Sequence, residues 1–128
     1  MSLLLDTHAL LWWLEGDPRL SKRARSAMSA AGERVLVSAA SAWECSVKVP
    51  TGKLPQAAPV LANFRTILAR EGFSILDISL DHILAAGSLP PFHGDPFDRM
   101  LVSQALAEGM PLVSNDKTLD RYGVRRVW

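Results

Sequence analysis

A single cysteine, Cys45, occurs in the 128 residues, so neither an internal disulfide nor a cysteine-rich zinc site can form within the chain. That scarcity fits a reducing compartment and reads Cys45 as a small buried apolar residue. No stretch approaches the roughly 18 consecutive apolar residues of a membrane span, and the opening MSLLLD has no basic segment followed by a long apolar run. The expectation is a soluble, cytoplasmic protein with no membrane partner. Charge of one sign is missing too, since 14 Lys plus Arg face 13 Asp plus Glu for a formal net charge of +1. The bulk field therefore advertises no polyanion partner, and nucleic-acid binding requires a local patch. Internal repeats and low-complexity tracts are absent. What is present is 48% hydrophobic, enough for one globular domain, residues 1–128, burying roughly two thirds of its unfolded surface.

Short apolar runs alternate with longer helical patterns, which predicts an α/β domain. Strands are expected at Leu3 to Leu5, Arg34 to Val37, Ser74 to Asp77, Leu112 to Val113 and Val124 to Val127. Their continuous apolar composition fits a parallel sheet covered on both faces. Helices are expected over Thr7 to Leu14, Ser21 to Ala31, Ala39 to Val49, Gln56 to Glu71, Ser79 to Leu89, Asp95 to Glu108 and, briefly, Lys117 to Arg121. Within PTGKLPQAAP, after Val49, three prolines and a glycine predict an exposed connection.

The acids take their meaning from that skeleton. Asp6 follows the first strand, Glu44 lies one turn into the helix after VLV, Asp116 follows LVS, and Asp95 and Asp98 open the sixth helix. Right-handed crossovers put the carboxyl ends of parallel strands on one edge, where ligands bind. The acids should meet at that rim. Each also has an ordinary explanation. Asp6, Asp95 and Asp116 suit helix N-caps, with Pro96 in the first helical position, and Ser41 to Glu44 has the spacing of a capping box. Glu44 and Lys48 are spaced as a solvated helix pair.

Asp98 departs from the ordinary pattern. At about 100° per residue it falls between Leu101 and Ala105 on one side and Val102 on the other, inside the apolar stripe of its helix. A carboxylate aimed inward costs several kcal/mol unless donors or a cation meet it, and a helix N-terminus supplies under about 1 kcal/mol. If Asp6, Glu44, Asp98 and Asp116 converge, each close pair repels by about 4 kcal/mol at an effective dielectric near 20. A divalent ion offsets that, and an all-oxygen cluster selects Mg²⁺ or Mn²⁺ over Zn²⁺. Metal-assisted phosphodiester hydrolysis uses such a site. Ser114 and Thr7 are placed to orient waters there, or simply to form turns.

The order Asp6, Glu44, DPFDR at 95 to 99 and SND at 114 to 116, together with SAWECSVKVPTGKL, resembles a PIN-domain protein of the VapC toxin type across nearly the whole chain. The resemblance implies a three-layer α/β/α sandwich around a mainly parallel sheet. It implies a Mg²⁺- or Mn²⁺-dependent endoribonuclease acting on RNA, a cognate antitoxin as partner, and dimerisation. Carried over by position, Asp6, Glu44, Asp98 and Asp116 match the family's acidic quartet, with Asp6 and Asp98 the direct metal ligands and Asp95 a cap. Ser114 stands where such proteins usually have threonine, which keeps the hydroxyl; Cys45 replaces a branched aliphatic residue. The alternative from another class is a catalytically inactive PIN-like module that only binds RNA or protein, but such modules usually lose acids, and none is missing. A phosphoacceptor domain would need paired acids after the first strand, where only Asp6 stands.

His8, His82 and His93 lack metal-ligand spacing and read as surface or supporting groups, although His93 adjoins DPFDR and is placed to touch substrate. Trp12, Trp13 and Trp43 are expected to bury against the sheet or a partner, with base stacking as the sharper option. Trp128 is expected to pack back on the chain. Arg19, Lys22, Arg23 and Arg25 form either a solvated face or a phosphate-tracking patch. Arg99 is placed to bridge carboxylates or to hold RNA.

Overall fold

The computed structural model describes residues 1–30 and 32–128. Strands β1 (Ser2–Leu5), β2 (Arg34–Ser38), β3 (Ser74–Leu76), β4 (Leu112–Val113) and β5 (Arg126–Val127) form one sheet in the order β3-β2-β1-β4-β5, parallel at every step. Leu3 pairs with Val35, and Leu5 pairs with both Val37 and Val113. Side chains alternate across a strand, so Leu3, Leu5, Val35, Val37 and Val113 enter one core and Leu4, Leu36 and Leu112 the other. The all-apolar strands are thereby explained: both faces are covered. Each fully buried leucine contributes about 1.5–3 kcal/mol over an exposed one.

Helices α1 (Thr7–Glu15), α2 (Lys22–Ser29) and α5 (Phe64–Glu71) cover the first face through Ala9, Leu10, Trp12, Ala24, Met28 and Leu68. The opposite face receives the start of α3 (Ala39–Lys48), α6 (Leu80–Ser88) and α7 (Pro96–Glu108), through Ala40, Ala86, Met100, Leu101, Val102 and Ala105. The expected three-layer α/β/α sandwich is the observed one. A smaller cluster of Leu11, Cys45, Leu54, Ala57 and Val60 joins α1 and α3 to α4 (Ala58–Ala62).

Several local expectations change. The helix expected from Gln56 to Glu71 is three pieces: a 3₁₀ turn over Pro55–Ala57, α4, and α5, broken at Asn63, whose φ of −133° is not helical. The break lets Val60 turn into the small cluster while Leu68 packs on the sheet. PTGKLPQAAP is likewise not wholly exposed, because Leu54 and Ala57 are buried in that cluster. The capping box belongs to α6, where Ser79 and His82 exchange bonds; α3 is capped by Ser38, and Ser41 lies buried inside the helix. The last strand is limited to Arg126–Val127. The expected end of the second helix at Ala31 lies outside the described residues, and α2 itself stops at Ser29.

Candidate active site

Because β1 is flanked by β2 on one side and β4 on the other, the strand order reverses there, and the carboxyl ends of these strands frame a crevice. Asp6 follows β1, Glu44 projects from α3 after β2, and Asp116 follows β4. Helix α7 runs back into β4, so its N-terminus, with Asp95 and Asp98, reaches the same rim. The structure brings all five acids to one edge.

Three of the acids are caps as well. Asp6 accepts the Ala9 N–H at 2.7 Å, Asp95 accepts those of Phe97 at 2.8 Å and Asp98 at 3.2 Å, and Asp116 accepts that of Thr118 at 3.0 Å. Capping and convergence are therefore compatible. Burial separates the acids: Asp6 is 7% exposed and Glu44 4%, whereas the Asp98 side chain keeps 26%. Asp98 does point along the apolar stripe, but in the first turn, where the stripe runs out at the rim.

The electrostatics carry the cost of this crowding. Burial pushes the Asp6 carboxyl up to about 6, against bonds from Ser114 and the Ala9 amide, with the charges of Glu44 and Asp116 adding to the rise. Asp98 is pushed up to about 7 by burial and by the charges of Asp95, Asp6 and Glu44, with His93 partly offsetting them. Asp116 goes the other way: burial would raise it, but bonds from the Thr118 hydroxyl and amide and from His93 hold it below the usual carboxylate range. Two raised acids beside ionised ones make an edge that favours a cation.

Lys48 is the nearest fixed cation. Its Nζ is bonded to Glu44 Oε2 and lies 3.7 Å from Asp95 Oδ2 and 5.4 Å from the Phe97 ring centre. Burial would lower its pKa, yet the bond it donates to Glu44 and the charges of Glu44, Asp95 and Asp98 raise it. The pair expected on a solvated face is thus a half-buried one. Glu44 Oε1, by contrast, is buried with no hydrogen-bond partner among the described residues. An orphaned carboxylate oxygen beside raised Asp6 and Asp98 fits a divalent cation held by oxygen.

His93 joins the acids at this rim. Its Nε2 lies 2.9 Å from Asp116 Oδ2 and 3.3 Å from Asp98 Oδ2, and these three groups have their ligand-type atoms within 4.8 Å of one another. Asp6 and Glu44 stand outside that tight group, which joins an imidazole to two of the four expected carboxylates. Only its position next to DPFDR signalled this. His8 is exposed, while His82 is buried and supports the start of α6, its Nδ1 accepting the Ser79 N–H at 3.0 Å.

Other expected roles resolve differently. Ser114 is fully buried between Asp6 and Asp116, accepting the Asp116 N–H at 3.1 Å. Thr7 is also buried and donates to Ser41 Oγ at 3.0 Å, joining α1 to α3 rather than facing water. Arg99 bridges no carboxylates among the described residues: it donates to the carbonyls of Ala86, Leu89, Pro90 and His93 and to Tyr122 Oη. Trp12 is buried, Trp13 is half-buried with its N–H on Glu71 at 2.7 Å, and Trp128 packs on Trp12. Trp43 is exposed instead, edge-on to Phe97 beside the rim. In the basic run, Arg19 is paired with Asp17 at 2.7 Å and lies over Trp12, and Arg25 lies over Trp13. Among the described residues, no helix is long and apolar enough to cross a membrane.

Known proteins resemble this chain in sequence and fold. Over 119 residues the chain is 32% identical to Ribonuclease VapC22 of Mycobacterium tuberculosis, covering 92% of this chain and 89% of that protein. The fold matches VapBC2 from Rickettsia felis, solved bound to a DNA fragment from their promoter, with a TM-score of 0.68 at 18% identity over 100% of both chains. It also matches VapBC-1 from nontypeable Haemophilus influenzae, with a TM-score of 0.63 at 17% identity over 98% of this chain and 96% of that one. Residues 3–125 fit the family model for the PIN domain, and with the parallel sheet and the acidic rim already in place, the chain belongs to the PIN domain family.

Proposed function

We propose that this chain is a metal-dependent endoribonuclease, the toxin of a VapC-type toxin–antitoxin pair, with Asp6, Glu44, Asp98 and Asp116 as its acidic site. The observation that carries the reading is the partnerless Glu44 Oε1 facing a rim where Asp6 and Asp98 are both raised. Family membership and the likeness to a named ribonuclease over most of the chain support it.

Mg²⁺ or Mn²⁺ is the ion proposed, held by Asp6 and Asp98 with Glu44 and Asp116 completing the set. Bound there, it would neutralise charge on the scissile phosphate and activate the attacking water. The chain's own residues prepare that site. Helix N-termini at Asp6 and Asp95 bias the rim toward anions. Lys48 fixes one oxygen of Glu44 and leaves the other available. Ser114 and Thr118 hold Asp6 and Asp116 in place. Neutralisation by a cognate antitoxin and action in the cytoplasm belong to the same proposal.

The test is RNA cleavage by purified protein with Mg²⁺ or Mn²⁺, stopped by EDTA and restored by returning the ion. Asp98→Asn should lower the rate beyond the about 10–100-fold typical of losing a group that only supports a metal ligand, while leaving the protein folded and at least as stable. Cleavage by Asp98→Asn at the parent rate, or undiminished cleavage in EDTA, overturns the proposal.

A further inference from the structure

We infer that His93 is a positioning residue that holds Asp98 and Asp116 ready for the ion through an Nε2–H donor, and is not itself a metal ligand. The inference rests on the metal site proposed above and concerns a residue outside its acidic set.

The assignment follows from which ring nitrogen is already committed. The backbone N–H of Asp95 points at His93 Nδ1 at 3.1 Å. An amide N–H only donates, so Nδ1 must offer its lone pair, and the proton of the neutral ring then sits on Nε2. That nitrogen donates to Asp116 Oδ2 at 2.9 Å and lies 3.3 Å from Asp98 Oδ2, a close dipolar contact rather than a second hydrogen bond. A nitrogen carrying its proton has no lone pair for a metal. The group of His93, Asp98 and Asp116 is therefore two carboxylates and one donor, rather than three ligands.

The rest of the loop keeps the ring there. The His93 amide donates to Tyr122 Oη at 2.9 Å, Tyr122 in turn donates to Pro90 O at 2.9 Å, and Arg99 reaches the His93 carbonyl at 3.4 Å. Asp98 comes from the start of α7 and Asp116 from the loop after β4, elements that share no backbone bond at this point. One imidazole spans the gap. Without it Thr118 would still hold Asp116, but Asp98 would lose its tie to that carboxylate, since among the described residues no other side chain lies against both. A carboxylate oxygen that accepts one hydrogen bond retains a lone pair for an ion, so the same contact that aligns the acids does not block them.

Near-isosteric substitutions separate the two nitrogens. Glutamine places an amide N–H near the position of Nε2, whereas asparagine reaches only as far as Nδ1 and can satisfy the Asp95 amide but not the acids. Mn²⁺ binding is read directly by electron paramagnetic resonance on His93→Gln, His93→Asn and the parent, with Asp98→Asn as the reference for a damaged site. His93→Asn should weaken Mn²⁺ binding about ten- to a hundredfold, with a cleavage defect that shrinks as Mn²⁺ is raised, and His93→Gln should stay within about threefold of the parent. Parent-like Mn²⁺ affinity in His93→Asn overturns the inference, as does His93→Gln failing as badly as His93→Asn, which would make the imidazole a ligand. A parent protein that binds no Mn²⁺ overturns the metal site itself and this inference with it.

Discussion

Glu44 and Lys48 illustrate how one spacing yields different energies depending on what surrounds it. Four residues apart on a solvated helix, such a pair is worth a few tenths of a kcal/mol. Here Glu44 is 4% exposed, and removing its partner would strand a buried charge. Lys48→Met should destabilise the protein toward the lower end of about 3–5 kcal/mol, since Lys48 keeps part of its side chain in water. Adding Glu44→Gln should recover most of the loss, and urea unfolding of the three variants measures both. A Lys48→Met protein as stable as the parent would show that the pair is held apart in solution. Helical periodicity places Glu44 on a face, but what covers that face depends on Asp95, Asp98 and Phe97, about fifty residues away in the chain. His93 was illegible for the same reason: its partners Asp116 and Tyr122 come from beyond α7.

Arg99 acts at the scale of elements. Its guanidinium gathers the carbonyls of Ala86 at 3.0 Å and Leu89 at 2.9 Å, at the end of α6, with Pro90 at 3.0 Å from the loop beyond. These are groups that a helix C-terminus leaves without partners. A lysine is a compact point donor and cannot reach all of them. Arg99→Lys should therefore accelerate amide exchange across residues 86–94 while leaving β1 and β2 protected, and unchanged exchange there would contradict the clamp. Apolar runs and N-cap residues made β1 to β4 and α1, α3, α6 and α7 readable to within a residue or two, because their local chemistry and their tertiary role agree. The α4–α5 break at Asn63 carries no proline or glycine at the break itself. It is set by Val60 and Leu68 having to reach different cores.

At the scale of the molecule, the acidic rim makes stability depend on pH and metal together. Asp6 and Asp98 release their protons near 3.8 when unfolded but hold them to about 6 and about 7 when folded. The folded state thus binds more protons, so metal-free stability should fall as pH rises from about 4 to about 7. Asp17, Asp116 and Asp120 are shifted down, and the stability gained through them is complete by about pH 5, in the lower part of that window. Mn²⁺ at about a hundred times its Kd should return about 2.7 kcal/mol near pH 7. Thermal melting across this range with and without the ion checks the sign; a metal-free protein that grows steadily more stable up to pH 7 would contradict it.

The most direct measurement is a crystal of the protein grown with Mn²⁺, its anomalous scattering mapped at the carboxyl edge of β1 and β4. A peak within coordination distance of Asp6 and Asp98, with Glu44 and Asp116 turned toward it, is the predicted result. Carboxylates pointing apart with no anomalous density between them would contradict it.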